Sequence, residues 1–251
     1  FVFFSRNLVR GTINSANFVE DNVLLIGGKI PQLDVDGWRH FFDKRKKEGL
    51  SGFSPMTVLV DAQIDRVDVF GYAYDNVKVN GQFLKNDGLF SINSEKASGK
   101  IAFSGYGTDQ AKLSAYMTRL AMARSGSRQQ LVTKKGEVDL PLIAIDAVID
   151  EFELDGFRRG AVTFQATPSN GRWDISELST ITDVGTLTMR GEWRPGLEPR
   201  AEYDVEFNVE DVGQYLFSVD GTEHMDGGVG RLIGSVSWQG SPFSLDLETL
   251  N

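Results

Sequence analysis

The chain has two histidines, His40 and His224, and no cysteine. An imidazole can act as a general base or a metal ligand, but each role needs partners. A nucleophilic triad needs a hydroxyl and a carboxylate beside the base, and a zinc site needs three or four nitrogen or sulfur ligands. The two histidines lie far apart, with no such pattern around either, and His40 sits among Trp38, Phe41 and Phe42, where it reads as structural. No Gly-x-Ser-x-Gly elbow occurs. Gly227-Gly228-Val229-Gly230 has the look of a phosphate loop, but an alternating strand follows it rather than a helix with Gly-Lys-Ser/Thr. It reads as the turn entering that strand. The acidic stretches 150–155 and 202–211 could suggest calcium, yet their carboxylates alternate with apolar residues, as on a solvated sheet face. Lys44-Arg45-Lys46-Lys47 fits the last turn of a helix, where cations complement the dipole, with headgroup contact as a second reading. No catalytic or metal-binding set emerges, and an enzyme is not expected.

The residues that recur at meaningful spacing are apolar. In 202–209, Tyr203, Val205, Phe207 and Val209 alternate with Glu202, Asp204, Glu206 and Asn208. In 185–193, Leu187, Met189 and Trp193 alternate with polar residues, and in 231–238 Leu232, Val236 and Trp238 do so, with Ile233 out of phase. Shorter runs appear at Val67/Val69, Val77/Val79, Phe90/Ile92, Ile101/Phe103, Leu113/Ala115/Met117, Phe152/Leu154, Val162/Phe164 and Trp173/Ile175. This period of two predicts strands with one oily and one wet face. Asn86-Asp87-Gly88 and Asn170-Gly171 are hairpin signals, and the whole predicts a long antiparallel meander. Two segments switch to a helical period. Asp34-Val35-Asp36-Gly37 can cap a helix carrying Trp38, Phe41 and Phe42, and Asp211 can cap one carrying Val212, Tyr215, Leu216 and Val219.

An internal repeat underlies the pattern. Ala62-x-Ile64-Asp65 through Gly71-Tyr72 to Val77-x-Val79 matches Ala147-x-Ile149-Asp150 through Gly156-Phe157 to Val162-x-Phe164. Each copy closes with Gly-x-apolar-x-apolar-x-Gly, at 99–105 and 185–191. A block of about four strands therefore occurs twice, near 62–105 and 147–191, followed by a strand–helix–strand unit over 194–251. Repetition favours an elongated sheet over a closed globule. The linker 124–136 carries four basic residues and no acid and reads as a polar loop, with an anionic surface as the minority reading.

With 251 residues, 26 basic and 35 acidic side chains and a charge of −9, the chain can bury a sizeable core and does not suit duplex nucleic acid. No apolar run approaches the roughly 20 residues of a membrane helix. The chain opens Phe-Val-Phe-Phe without a basic start and ends mid-pattern, so it is read as a piece of a longer protein whose anchor lies elsewhere.

A dozen strands with one apolar face and two short helices leave two solutions. The sheet closes as a sandwich or barrel, or it curls partway and leaves a groove. Pattern alone favours the sandwich. An open groove is an aggregation hazard unless something apolar fills it, and acyl chains suit. At roughly 0.8 kcal/mol per CH₂, exposing two chains of about 16 carbons to water costs roughly 25 kcal/mol.

A resemblance reverses that preference. Gly28-Lys29-Ile30-Pro31-Gln32-Leu33-Asp34-Val35-Asp36-Gly37-Trp38, Asp139-Leu140-Pro141 with Ile149–Leu154, and Gly185–Trp193 resemble recurring elements of the AsmA-like superfamily. Met189-Arg190 replaces its more usual small residue. Asp211–Leu216, then Met225–Gly234, then Trp238-Gln239-Gly240-Ser241-Pro242-Phe243 is similar to the closing pattern of YhdP-type proteins. The order and spacing of these motifs, more than any one of them, carry the likeness. It implies a mainly β fold: an elongated, curled antiparallel sheet forming an open hydrophobic groove, with two short helices. It also implies a periplasmic location, anchored to the inner membrane outside this fragment, and no cofactor, with phospholipid as the transported ligand. The partners implied are phospholipid acyl chains, the inner and outer membranes reached through other parts of the protein, and envelope proteins at its ends. The expected groove lining is Val67, Val69, Ile101, Phe103, Val162, Phe164, Leu187, Met189, Val205, Phe207, Val236 and Trp238. Two rivals stay open: a TamB-like role in outer-membrane protein assembly, and a closed sandwich acting as a binding or adhesion module.

Overall fold

The computed structural model describes residues 9–10, 23–35, 37, 57–69, 72–123, 142–196, 198–220, 226–240, 242 and 249–250. Among them, alternation becomes strand throughout. The strands are β1 (Val9–Arg10), β2 (Val23–Asp34), β3 (Thr57–Val69), β4 (Tyr72–Leu84), β5 (Asp87–Asn93), β6 (Ala97–Ser104) and β7 (Lys112–Met122). They continue as β8 (Ala144–Leu154), β9 (Phe157–Ser169), β10 (Arg172–Thr182), β11 (Gly185–Arg194), β12 (Arg200–Val209) and β13 (Gly230–Gln239). A single described helix, α1 (Val212–Asp220), joins the last two. In β12 the logic is plain: Ala201, Tyr203, Val205 and Val209 are buried, while Asp204, Glu206 and Asn208 are exposed.

All thirteen strands form one sheet in strict sequence order. The sheet is curled and unclosed, since β1 and β13 do not pair. That is the open groove rather than a barrel or a two-sheet sandwich. The meander is not wholly antiparallel, however. β2 pairs with β3, and β7 with β8, in parallel. A parallel pair needs a crossover of a dozen or more residues, and the segments after Asp34 and Met122 are long enough to supply it. Side-chain alternation carries no information about strand direction, so the sequence pattern is blind to this.

The hairpin at Asn170-Gly171 is where the sequence places it, with both residues at positive φ (49° and 76°), which suits the strand twist. The turn expected at Asn86-Asp87-Gly88 falls earlier. Leu84 pairs with Asp87, so Lys85 and Asn86 make the turn, with Lys85 at φ 53°. Gly88 lies instead within β5, where a Cβ would meet ring atoms of Phe83 at 2.7 Å and Phe90 at 2.9 Å. The glycine makes room for aromatic rings rather than for a bend.

The expected helix starts also leave their marks. Asp211 Oδ1 accepts the Gln214 backbone N–H at 2.9 Å, capping α1. Asp34 Oδ1 accepts the Gly37 N–H at 2.8 Å, and the remainder of the first expected helix lies outside the described residues. The basic cluster 44–47 and the linker 124–136 lie outside them as well.

The motifs that repeat in sequence pair in one register. Ala62 and Ile64 face Val79 and Val77, and Ala147 and Ile149 face Phe164 and Val162. In both places the parallel neighbour adds the next partner: Ile30 beside Ile64, and Met117 beside Ile149.

The apolar core divides between the two long edges, or lips, of the sheet. One cluster holds Ile30, Ile64, Tyr74, Val77, Ala97 and Met117, near the lip formed by the ends of β2, β3 and β7. The other holds Trp173, Ile175, Trp193, Ala201, Tyr203 and Trp238, at the opposite lip where β10, β12 and their neighbours turn.

Candidate functional site

Inter-strand register arranges the apolar side chains into rows that cross the sheet at right angles to the strands. One row runs Val60, Gly81, Phe90, Ile101, Ala115, Ala147, Phe164, Leu178, Met189, Val205, Gly234. A second runs Val58, Phe83, Gly88, Phe103, Leu113, Ile145, Ala166, Ile175, Gly191, Tyr203, Val236. A third runs Ala62, Val79, Ile92, Gly99, Met117, Ile149, Val162, Thr180, Leu187, Phe207, Leu232. Thr180 and Tyr203 carry the only hydroxyls in them, and the Tyr203 hydroxyl is turned to the backbone of Pro242. From β3 to β13, ten inter-strand steps at about 4.8 Å make each row about 48 Å long. An acyl chain fills half of a hydrocarbon core about 30 Å thick, so a row is about three chain lengths.

All twelve expected groove residues lie on this face. Ile101, Phe164, Met189 and Val205 belong to the first row, Phe103 and Val236 to the second, and Val162, Leu187 and Phe207 to the third. Trp238 lies beyond the second row, opposite Ala201. Val67 and Val69 lie beyond the third on β3 and pack on the Ile64–Tyr74 cluster. They reach this face because the alternation breaks at Asn76, whose φ of 52° takes it and Asp65 out of the ladder. The twelve are not equivalent. Val162, Phe164, Val205 and Trp238 are buried by neighbouring side chains, whereas Val67, Val69, Ile101, Phe103, Leu187, Met189, Phe207 and Val236 are half-buried. The first set holds the sheet's shape, and the second is what a ligand could touch.

Trp238 belongs to an aromatic cluster that seals one lip. Trp193 is 0% exposed and Trp173 2%, their rings 5.3 Å apart, and Tyr203 stacks on Trp238 at 5.2 Å. Each indole finds a backbone acceptor: Trp173 Nε1–H donates to Ile143 O and Trp193 Nε1–H to Gly240 O, both at 2.9 Å. The Tyr203 hydroxyl donates to Pro242 O at 3.4 Å, and burial pushes its pKa well above the usual tyrosine value. Burial likewise pushes Tyr74, in the other cluster, up to about 12.

Helix α1 covers part of the same face at the opposite lip. Its Tyr215 ring sits 4.6 Å from Phe207, and the helix reaches back to β9. Burial raises the Tyr215 pKa, with the Arg159 charge opposing.

The outer face is wet. Glu192 is paired with Arg172 at 2.6 Å and with Arg194, Arg200 with Glu202 at 2.7 Å, and Arg231 with Glu206 at 3.0 Å. The Glu206 carboxyl is held below its ordinary range by the Asn208 amide and then by Arg231. Exposed pairs of this kind are screened by water and salt, so they keep the face solvated more than they stabilise it. A depression of about 700 Å³ between β11, β12 and β13 is lined by charged and hydroxyl side chains, among them Arg190, Glu192, Arg200, Glu202 and Asp204, and backs onto Gly191, Tyr203 and Val236 of the second row. No group of acidic, histidine or cysteine side chains suited to a metal occurs among the described residues, and both histidines lie outside them. No helix among the described residues is long and apolar enough to cross a membrane.

The family model described as YhdP protein matches residues 4–251. The chain belongs to the YhdP family. No curated protein and no solved structure matches it. The YhdP match spans both repeated blocks and the C-terminal unit, so the apolar rows lie wholly within the family's own sequence.

The expected groove lining leaves out several members of the rows, although Phe90 reads as part of an alternating strand. Phe83 and Phe90 line them beside Gly88 and Gly81, and Leu178 lies opposite both Phe164 and Met189. A glycine across from an aromatic residue is a signal that could have found the first two.

Proposed function

We propose that this chain is a continuous segment of a periplasmic lipid conduit that carries phospholipids between the inner and outer membranes. Acyl chains lie along the apolar rows and headgroups ride at the groove mouth. The single observation that carries the reading is the continuity of the rows: apolar, aromatic or glycine residues from β3 to β13, interrupted only by the Thr180 hydroxyl and the Tyr203 hydroxyl, which is bonded to Pro242 O. A fold needing only a core would not require rows longer than the buried clusters. Membership of the YhdP family and the unclosed sheet support the same reading. The segment itself performs no chemistry; drive, direction and membrane anchoring come from other parts of the protein and its envelope partners.

The test is lipid retention. The full-length protein, extracted under mild conditions and assayed for phosphorus, is expected to carry phospholipid at one or more molecules per chain. A folded, lipid-free protein would contradict the conduit. A polypeptide recovered in the groove instead would favour a role in outer-membrane protein assembly.

A further inference from the structure

Helix α1 is attached unevenly. Its first turn is fastened by backbone hydrogen bonds, Val212 N–H to Gly228 O at 2.8 Å and Gly213 N–H to Gly227 O at 3.1 Å. Gly227 and Gly228 have φ of 67° and 98°, a left-handed conformation that glycine adopts without strain. Beyond Gly213, no backbone–backbone hydrogen bond among the described residues ties the helix to the sheet. There it rests through side chains, with Tyr215 on Phe207, while Phe217 is 52% exposed.

The reach of the helix matters. Nine residues at 1.5 Å make it about 13 Å long, and the three steps from β12 to β9 are about 14 Å. A helix that starts at the end of β12 and touches β9 therefore lies across the strands, at the lip nearest Leu187 and Phe207 of the third row. The apolar surface of Phe207 can be covered by the Tyr215 ring or by an acyl chain, but not by both.

We propose that α1 is a hinged cover on the inner face: seated, it closes the stretch from β9 to β12, and it must lift about the Gly227–Gly228 turn for an acyl chain to pass. This rests on the conduit reading. Because one surface serves two occupants, lipid binding and helix seating oppose each other, and the coupling is reciprocal. Ile101 lies on β6, outside the β9–β12 stretch that α1 spans, so its labelling does not depend on where the helix sits.

The test places a photoreactive amino acid at Leu187 or at Ile101 in the full-length protein. Each is illuminated with vesicles of phosphatidylethanolamine and phosphatidylglycerol. In the otherwise unchanged protein, lipid adducts form at Ile101 and weakly at Leu187. Tyr215→Ala is expected to raise the Leu187 adduct at least threefold and leave Ile101 unchanged. Tyr215→Phe, which keeps the ring, behaves as the parent. With no substitution at all, vesicles are expected to speed hydrogen exchange of the Leu216 and Phe217 amides at least tenfold, which decides the matter if Tyr215→Ala does not fold. Equal Leu187 labelling with and without the Tyr215 ring, while Ile101 is labelled, overturns the cover alone. Unchanged or slower exchange does the same. Absence of lipid at both positions in every protein overturns the conduit, and the cover with it.

Discussion

Replacing Trp193 with alanine is expected to cost about 3–5 kcal/mol of folding stability, the range for deleting a buried aromatic side chain. Trp193 has no solvent exposure, packs against Trp173, and satisfies its one donor on Gly240 O. The substitution leaves a cavity between β10, β11 and β12, and removes the indole that fastens the Gly240 segment over the lip. Domains of ordinary stability have about 5–15 kcal/mol to lose, so the variant sits near the edge of folding. Urea unfolding followed by near-ultraviolet circular dichroism reads the loss directly. Phe217→Ala, on the exposed side of α1, is the comparison and is expected to change stability by about 0.5 kcal/mol or less. A Trp193→Ala midpoint close to the parent's would mean that the sealed lip does not hold the sheet.

The second large effect is on transport. Ile101 lies in the first row between Phe90 and Ala115, half-buried, so it can change without emptying a core site. Ile101→Asp puts a carboxyl group where the proposal requires a passing acyl chain. Desolvating even a neutral polar group costs up to about 3 kcal/mol in protein settings, a lower bound for a carboxylate, and every 1.4 kcal/mol is a factor of ten. Phospholipid arrival in the outer membrane is then expected to slow by about a hundredfold in cells carrying the variant. Lys100→Asp, one residue away on the exposed outer face, is expected to leave the rate within about twofold. Equal rates in the two variants, with both folded, would take Ile101 off the path.

How legible this was in the sequence differs by feature. The faces were readable because a strand has a period of two: Val205 and Phe207 fall on one side and Glu206 on the other, whatever the tertiary arrangement. The repeat was readable too, since Ala62-x-Ile64 and Ala147-x-Ile149 carry the same residues and pair in the same register with apolar partners. The parallel pairs were not, because Met117 beside Ile149 looks the same in sequence whether the strands run together or apart. Gly88 was misread as a turn because glycine serves bends and close approaches alike, and only the Phe83 and Phe90 rings decide between them. Val67 owes its place on the inner face to the positive φ of Asn76 across the ladder, a non-local effect. The period of α1 was evident from Val212, Tyr215 and Leu216, but not that it docks on Phe207. That contact alters which position reports on the groove: Phe207 is shared with Tyr215, whereas Ile101 is not.

The central claim is that the inner face, and not the outer one, meets acyl chains. It is tested most directly in living cells, with a photoreactive amino acid at Ile101 and, in a second strain, at Lys100. Cross-linked phospholipid at 101 and none at 100 is the predicted result. Labelling at neither position, in a protein that folds and accumulates normally, would contradict the account.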